Sequence, residues 1–173
     1  NWKRPRAEVK ALMGMLKRYI RKDVKEVHEH GIRFQTIGDI TALPQDVQDE
    51  IAAAKEMTAE NEGMVMNIAL NYGSRAEIVR AARLAFQDLE RRNDVIDHLT
   101  EADIESNLYT EGLPDVDLLV RTSGEFRISN FLLWQLAYSE IYVTPVLFPD
   151  FRRKEIFEAI VDFQQRERRF GGV

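Results

Sequence analysis

The apolar residues of this chain change their period several times, and that alternation constrains the fold more than any other feature. Val9, Leu12, Met13, Leu16, Tyr19, Ile20, Val24 and Val27 recur at three- and four-residue spacing, which marks one face of a long helix. Pro5 suits its first turn, Glu8 follows favourably, and Gly31 ends it. Ile32 to Ile37 reads as a strand closed by Gly38-Asp39, and Leu43-Pro44 opens a polar, Ala-rich helix reaching about Glu60. Met64 to Leu70, between Glu62-Gly63 and Asn71-Tyr72-Gly73-Ser74, is an apolar strand of the parallel-sheet kind. A third helix runs from Arg75 to Arg91, and Thr100 with Asp103 forms a capping-box variant before a short helix. Asp117 to Val120 reads as a buried strand, Asn130 to Gln135 as helical, Glu140 to Val143 as a strand, and Arg152 to about Arg168 as a last helix. Strands alternating with helices predict an α/β fold, a mainly parallel sheet flanked by helices. No repeat, linker or low-complexity tract divides it, so residues 1–173 read as one domain.

Composition narrows the function classes. Net charge is −5, from 24 basic and 29 acidic residues, so a nucleic-acid footprint is not expected. There is no Cys, hence no disulfide framework or thiolate metal site, which suits a cytoplasmic location. His28, His30 and His98 lack the spacing of a metal cluster, and no apolar run has the length of a membrane span.

One segment concentrates charge. After the strand at Asp117, turn chemistry at Thr122-Ser123-Gly124 is followed by Glu125, Arg127 and Ser129, with Arg121 at the strand end. Ligands of α/β sheets bind just beyond strand ends. Two guanidinium groups and a hydroxyl there form a planar, multi-donor surface suited to phosphate or diphosphate. By charge alone, a solvated ion-pair network of Arg121, Glu125 and Arg127 accounts for the pattern equally well. A second candidate is Asn71 to Arg75, where Gly73 permits a tight turn and the following helix start favours an anion. In isolation it is also an ordinary strand-to-helix turn. Leu12, Met15, Leu16 and Tyr19, with Met64, Met66 and Ile68, form stripes that serve either a core or a cavity wall.

The wording from Asp117 to Glu140, DLLVRTSGEFRISNFLLWQLAYSE, resembles the signature of the cis-prenyltransferases, the undecaprenyl diphosphate synthase family of bacterial type. Asn71 to Arg75 with Glu77 resembles the family's Asn-Tyr-Gly-Gly-Arg block, Ser74 standing in place of the commoner second Gly. Asn1-Trp2-Lys3-Arg4-Pro5 with Glu8 is similar to its Glu-Asn-Trp-x-Arg-Pro block, and Arg166 to Gly172 to its Arg-x-Arg-Arg-Phe-Gly-Gly ending.

The resemblance implies condensation of isopentenyl diphosphate with an allylic diphosphate such as farnesyl diphosphate. Elongation would be cis and repeated, giving a polyprenyl diphosphate for cell-wall (peptidoglycan) lipid carrier synthesis. It implies Asn1 and Arg121 as catalytic residues. Trp2, Arg4, Glu8, Arg121, Arg127, Ser129 and Arg168 would bind substrate, with Asp117, Glu125, Asn71 and Arg75 orienting them. Glu140 would support Mg²⁺. It further implies a homodimer in which the C-terminal arginines reach the partner's diphosphate site, and an inner-membrane contact for product release. Some family relatives are non-catalytic partner subunits that have lost the Arg-rich signature, which this chain keeps. The family also carries His-x-x-x-Met-Asp-Gly-Asn-x-Arg-x-Ala on its first strand. Its Asp carries Mg²⁺ and its Gly, Asn and Arg hold the allylic diphosphate. This chain has no copy. The expectation is a longer parent protein, with the family's first strand and helix outside this chain, and a chain inactive on its own.

Overall fold

The computed structural model describes residues 5–167, which fall into two compact units divided between Tyr72 and Gly73. The first contains α1 (Arg6–Glu29), β1 (Arg33–Ile37), α2 (Gln45–Met57) and β2 (Val65–Ala69). The second contains α3 (Ser74–Arg91), α4 (Glu101–Glu105), β3 (Leu118–Arg121), β4 (Glu140–Val143) and α5 (Arg153–Gln164). Each unit holds one two-stranded parallel sheet, β1 with β2 and β3 with β4. The fold is α/β, with parallel strands flanked by helices, as the alternation of periods predicts.

In the first unit Met13, Leu16, Val24 and Val27 of α1 pack with buried Ile20 against Phe34, Val47, Ile51 and Ala54. Burying Val47 and Ile51 contributes about 1.5–3 kcal/mol each. Thr58 caps α2 and ties it to the sheet: its hydroxyl donates to the Ala54 carbonyl at 2.9 Å and accepts the Phe34 N–H at 3.0 Å. That bond ends the helix at Met57, short of the expected Glu60. Gly38 lies at φ +107°, and a Cβ there would meet the Leu70 carbonyl oxygen at 2.1 Å. Only glycine fits where β1 leaves the sheet.

In the second unit Ala81, Ala85, Ile104 and Leu108 form the core, with Trp134 packed against it. Parallel strands need a crossover, and residues 122–139 supply it without a regular helix. The helix expected over Asn130 to Gln135 is absent because Asn130 and Leu132 take left-handed φ values of 61° and 47°. A right-handed helix cannot pass through such residues. The last helix stops at Gln164, before the expected Arg168, and Arg166 turns back onto Glu140 and Asp162.

The capping box on α4 forms as its residues require. Thr100 N–H donates to Asp103 Oδ2 at 3.0 Å, Asp103 N–H donates to Thr100 Oγ1 at 3.3 Å, and Arg92 Nη2 reaches Asp103 Oδ1 at 2.8 Å. The Thr100 hydroxyl first, then Arg92, lowers the Asp103 carboxyl from 3.8 to about 2. A depressed carboxylate stabilises the fold above its unfolded value and loses that contribution as pH falls through its folded one. Stability measured by urea titration should therefore fall between pH 3.8 and about 2, and Asp103→Asn should flatten that slope. An unchanged slope would mean that the bond network does not hold Asp103 ionised.

Candidate functional site

Arg121 is the last residue of β3, paired in register with Val143, and its carbonyl accepts the Thr144 N–H at 2.9 Å. The chain then turns through Ser123 and Gly124, both at positive φ. Their N–H groups donate to the Val146 and Thr144 carbonyls at 2.8 and 2.9 Å. This anchored turn presents Glu125 between two cations. One carboxylate oxygen pairs with Arg121 and the other with Arg127. The Arg121 bond, joined by the nearby charge of Arg127, holds the Glu125 carboxyl below its ordinary range, so it remains ionised at neutral pH. The Arg127 side chain is 62% exposed, against 31% for Arg121.

Arg121, Arg127 and Ser129 line a cleft of about 390 Å³. Leu119, Phe131 and Phe148 contribute apolar walls. Each guanidinium carries five N–H donors, more than one shared carboxylate can use. The ion-pair network and the candidate anion site thus share Arg121 and Arg127, with Glu125 completing the first and Ser129 the second. A net positive site with a donor surplus, opening beside apolar walls, suits an anionic group on an apolar body.

The other expected residues are distributed as follows. Asn1, Trp2, Arg4 and Arg168 lie outside the described residues. Glu8 is exposed in the first turn of α1. Asn71, at φ 47°, donates through Nδ2 to the Asp39 carbonyl at 2.8 Å. Asp117 precedes β3, and its carbonyl accepts the Glu140 N–H at 2.9 Å. At Arg75 the backbone N–H donates to Asn130 Oδ1 at 2.9 Å. On α1, Leu16 joins the core, whereas Leu12, Met15 and Tyr19 are exposed, as is Met64. Met66 and Ile68 pack on the core.

Glu140 bonds to Arg166 Nη1 at 2.8 Å, and Arg166 also pairs with Asp162 of its own chain. Among the described residues no group of three or more His, Cys, Asp or Glu side chains could hold a metal ion. Mg²⁺ takes near-octahedral oxygen ligands, of which Glu140, with one oxygen on Arg166, can supply only part.

Two residues escape a reading of local pattern. Glu77 is 1% exposed. It accepts the Tyr109 N–H at 2.8 Å and the Gln135 side-chain amide at 3.3 Å. The available signal was its place on the stripe Glu77, Ala81, Ala85, Leu89, all buried on α3. Asn130 is the other; its carbonyl and side chain both bind the start of α3.

The family model Prenyltransf, described as "Putative undecaprenyl diphosphate synthase", matches residues 1–171. The chain is 49% identical over 173 residues to the isoprenyl transferase of Clostridium tetani (strain Massachusetts / E88), covering 100% of this chain and 68% of that protein. It is 48% identical over 171 residues to that of Geobacter sulfurreducens, covering 99% and 70%. Among solved structures it resembles lavandulyl diphosphate synthase from Lavandula x intermedia in complex with dimethylallyl diphosphate. The TM-score is 0.95 at 40% identity, over 99% of this chain and 75% of that one. A probable undecaprenyl diphosphate synthase from Campylobacter jejuni gives a TM-score of 0.85 at 35% identity, over 99% and 78%.

Removing the Glu77 carboxylate leaves the half-buried Tyr109 N–H without that acceptor. Glu77→Ala should cost about 2–3 kcal/mol in chemical denaturation, while a surface control, Glu90→Ala, stays within about 0.5 kcal/mol. A loss at Glu77 no larger than the control would show that its burial is not a stabilising feature.

Proposed function

This chain belongs to the undecaprenyl diphosphate synthase family of isoprenyl transferases, and from that premise we propose that its protein elongates an allylic diphosphate with isopentenyl diphosphate. The observation that carries this reading is the cleft at the end of β3, whose lining combines Arg121, Arg127 and Ser129 with Leu119, Phe131 and Phe148. The guanidinium groups and the Ser129 hydroxyl hold the homoallylic diphosphate. Glu125 orients both arginines through its two oxygens. Held so, the double bond of isopentenyl diphosphate attacks the allylic carbon as the allylic diphosphate departs, and loss of a C2 proton to the departing diphosphate forms the new double bond, a gain from positioning and charge neutralisation. Each cycle adds one unit with a cis double bond. The dimethylallyl diphosphate bound in the lavandulyl diphosphate synthase supports an allylic diphosphate as the second substrate.

We take the product to be a long-chain polyprenyl diphosphate of the undecaprenyl type, made from farnesyl diphosphate for the cell-wall lipid carrier. The family model runs through both compact units, which supports reading them as one prenyltransferase domain. No helix among the described residues is long and apolar enough to cross a membrane. That agrees with a cytoplasmic enzyme that touches the membrane only to release product. Glu140 would support Mg²⁺, with diphosphate oxygens supplying further ligands. Retention of Arg121, Glu125, Arg127 and Ser129 together favours the enzyme over a non-catalytic partner subunit.

In the protein at its natural length, Arg127→Ala should raise the KM for isopentenyl diphosphate roughly ten- to hundredfold, the loss of about 1.5–3 kcal/mol of charge-assisted bonding. The KM for farnesyl diphosphate should move far less. Arg127→Lys should recover part of the loss, since a point charge cannot reproduce a planar fork. Equal damage to both substrates would make Arg127 a structural residue.

The homodimer proposal draws support from exposed apolar side chains of the second unit, notably Tyr138 and Phe148. An Arg127→Ala subunit mixed with an Arg168→Ala subunit tests it. If Arg168 serves the partner's site, each mixed dimer has one intact site. Random exchange should then restore about a quarter of wild-type activity. Absence of rescue, with exchange confirmed by differential tagging, would remove Arg168 from any shared site.

A further inference from the structure

The loop that presents Arg127 and Ser129 is built from unfavourable backbone. Ser129, Asn130 and Leu132 all sit at left-handed φ, 54°, 61° and 47°. Asn tolerates that region, but a bulky Leu rarely enters it. Such geometry persists only where surrounding contacts over-determine it. Here those contacts come from the start of α3. The Ser74 N–H donates to the Asn130 carbonyl at 2.9 Å. The Arg75 N–H donates to Asn130 Oδ1 at 2.9 Å. In the reverse direction, the Leu133 N–H donates to the Ser74 hydroxyl at 2.9 Å. Ser74 is fully buried. A Cβ on Gly73 would stand 3.0 Å from Asn130 Nδ2, so residue 73 leaves the room that Asn130 occupies.

We propose that Asn130 and Ser74 form a latch that positions Arg127 and Ser129 for the diphosphate. This rests on the reading that Arg127 and Ser129 take that group. The first N–H groups of a helix usually invite an anion. On α3 those of Ser74 and Arg75 already bind Asn130, so the helix start serves as an anchor for the loop. Ser74 adds a bond that a glycine in the same place could not make, because glycine has no hydroxyl to accept the Leu133 N–H. Neither Asn130 nor Ser74 needs to touch substrate. Both are positioning residues.

The test uses the protein at its natural length with isopentenyl diphosphate and farnesyl diphosphate, and Arg127→Ala as reference. Asn130→Ala should raise the KM for isopentenyl diphosphate about tenfold, the effect of one lost hydrogen bond near 1.4 kcal/mol. The KM for farnesyl diphosphate should stay within about twofold. Asn130→Asp keeps an acceptor at Oδ1 and should restore most of the affinity. Ser74→Ala removes only a hydroxyl and should shift the same KM in the same direction, which keeps the test decisive if Asn130→Ala fails to fold. If Arg127→Ala weakens isopentenyl diphosphate binding but neither latch variant does, the latch is overturned and the site reading stands. If the latch variants lower thermal stability and leave both KM values alone, their role is structural and the inference is overturned. If Arg127→Ala leaves that KM unchanged, the site reading fails and takes the latch with it.

Discussion

Two parallel strands cannot be joined by a tight turn; the chain must travel back the length of the sheet before the second strand can begin. In the second unit that return is made by residues 122–139, and most of the candidate site follows from how it is made. A helical return would satisfy its own backbone. This one is irregular, so its polar groups need partners elsewhere. Ser123 and Gly124 find them beyond β4, Asn130 and Leu133 at the start of α3, and the Ser139 hydroxyl at the Val116 carbonyl, 2.5 Å away. Those external bonds leave the segment between them free to carry side chains outward. Glu125, Arg127 and Ser129 occupy that segment. The demand for a crossover and the presentation of the candidate site are met by one stretch of chain.

Much of the fold was legible from local pattern. The α1 stripe appears at the spacing its residues impose, with Leu16, Ile20, Val24 and Val27 facing the core. Thr100 and Asp103 form their box as two short polar side chains at a helix start should. Arg121, Glu125 and Arg127 were legible as a charged cluster because they lie within seven consecutive positions, 121–127. Their pairing follows from proximity along the chain.

What stayed hidden depends on distance in sequence. Asn130 meets Arg75 across 55 positions, and no period or local motif encodes such a pair. The helix expected at Asn130 to Gln135 failed for the same reason. Its apolar residues have helical composition, but the bonds from Ser74 and Arg75 hold Asn130 in a conformation a helix cannot use. Glu77 was legible only as the acidic residue that follows the Asn71 to Arg75 block. Its burial depends on Tyr109 and Gln135, contributed by two distant segments. Arg166 belongs to the same class, since its pairing with Glu140 spans 26 positions.

Glu125 gives the site a property that a bare pair of arginines would lack. Its carboxylate is the resident counterion of both guanidinium groups. Any anion arriving from solution competes with a tethered one that loses little entropy in staying put. A singly charged ion such as chloride offers no more charge than Glu125 and fewer oxygens. A diphosphate brings several oxygens and more than one charge, and can bond the donors Glu125 leaves unused without evicting it. In the proposed function the carboxylate acts as a threshold: it lowers the affinity of the pair for common salts while leaving a multiply charged head group its advantage.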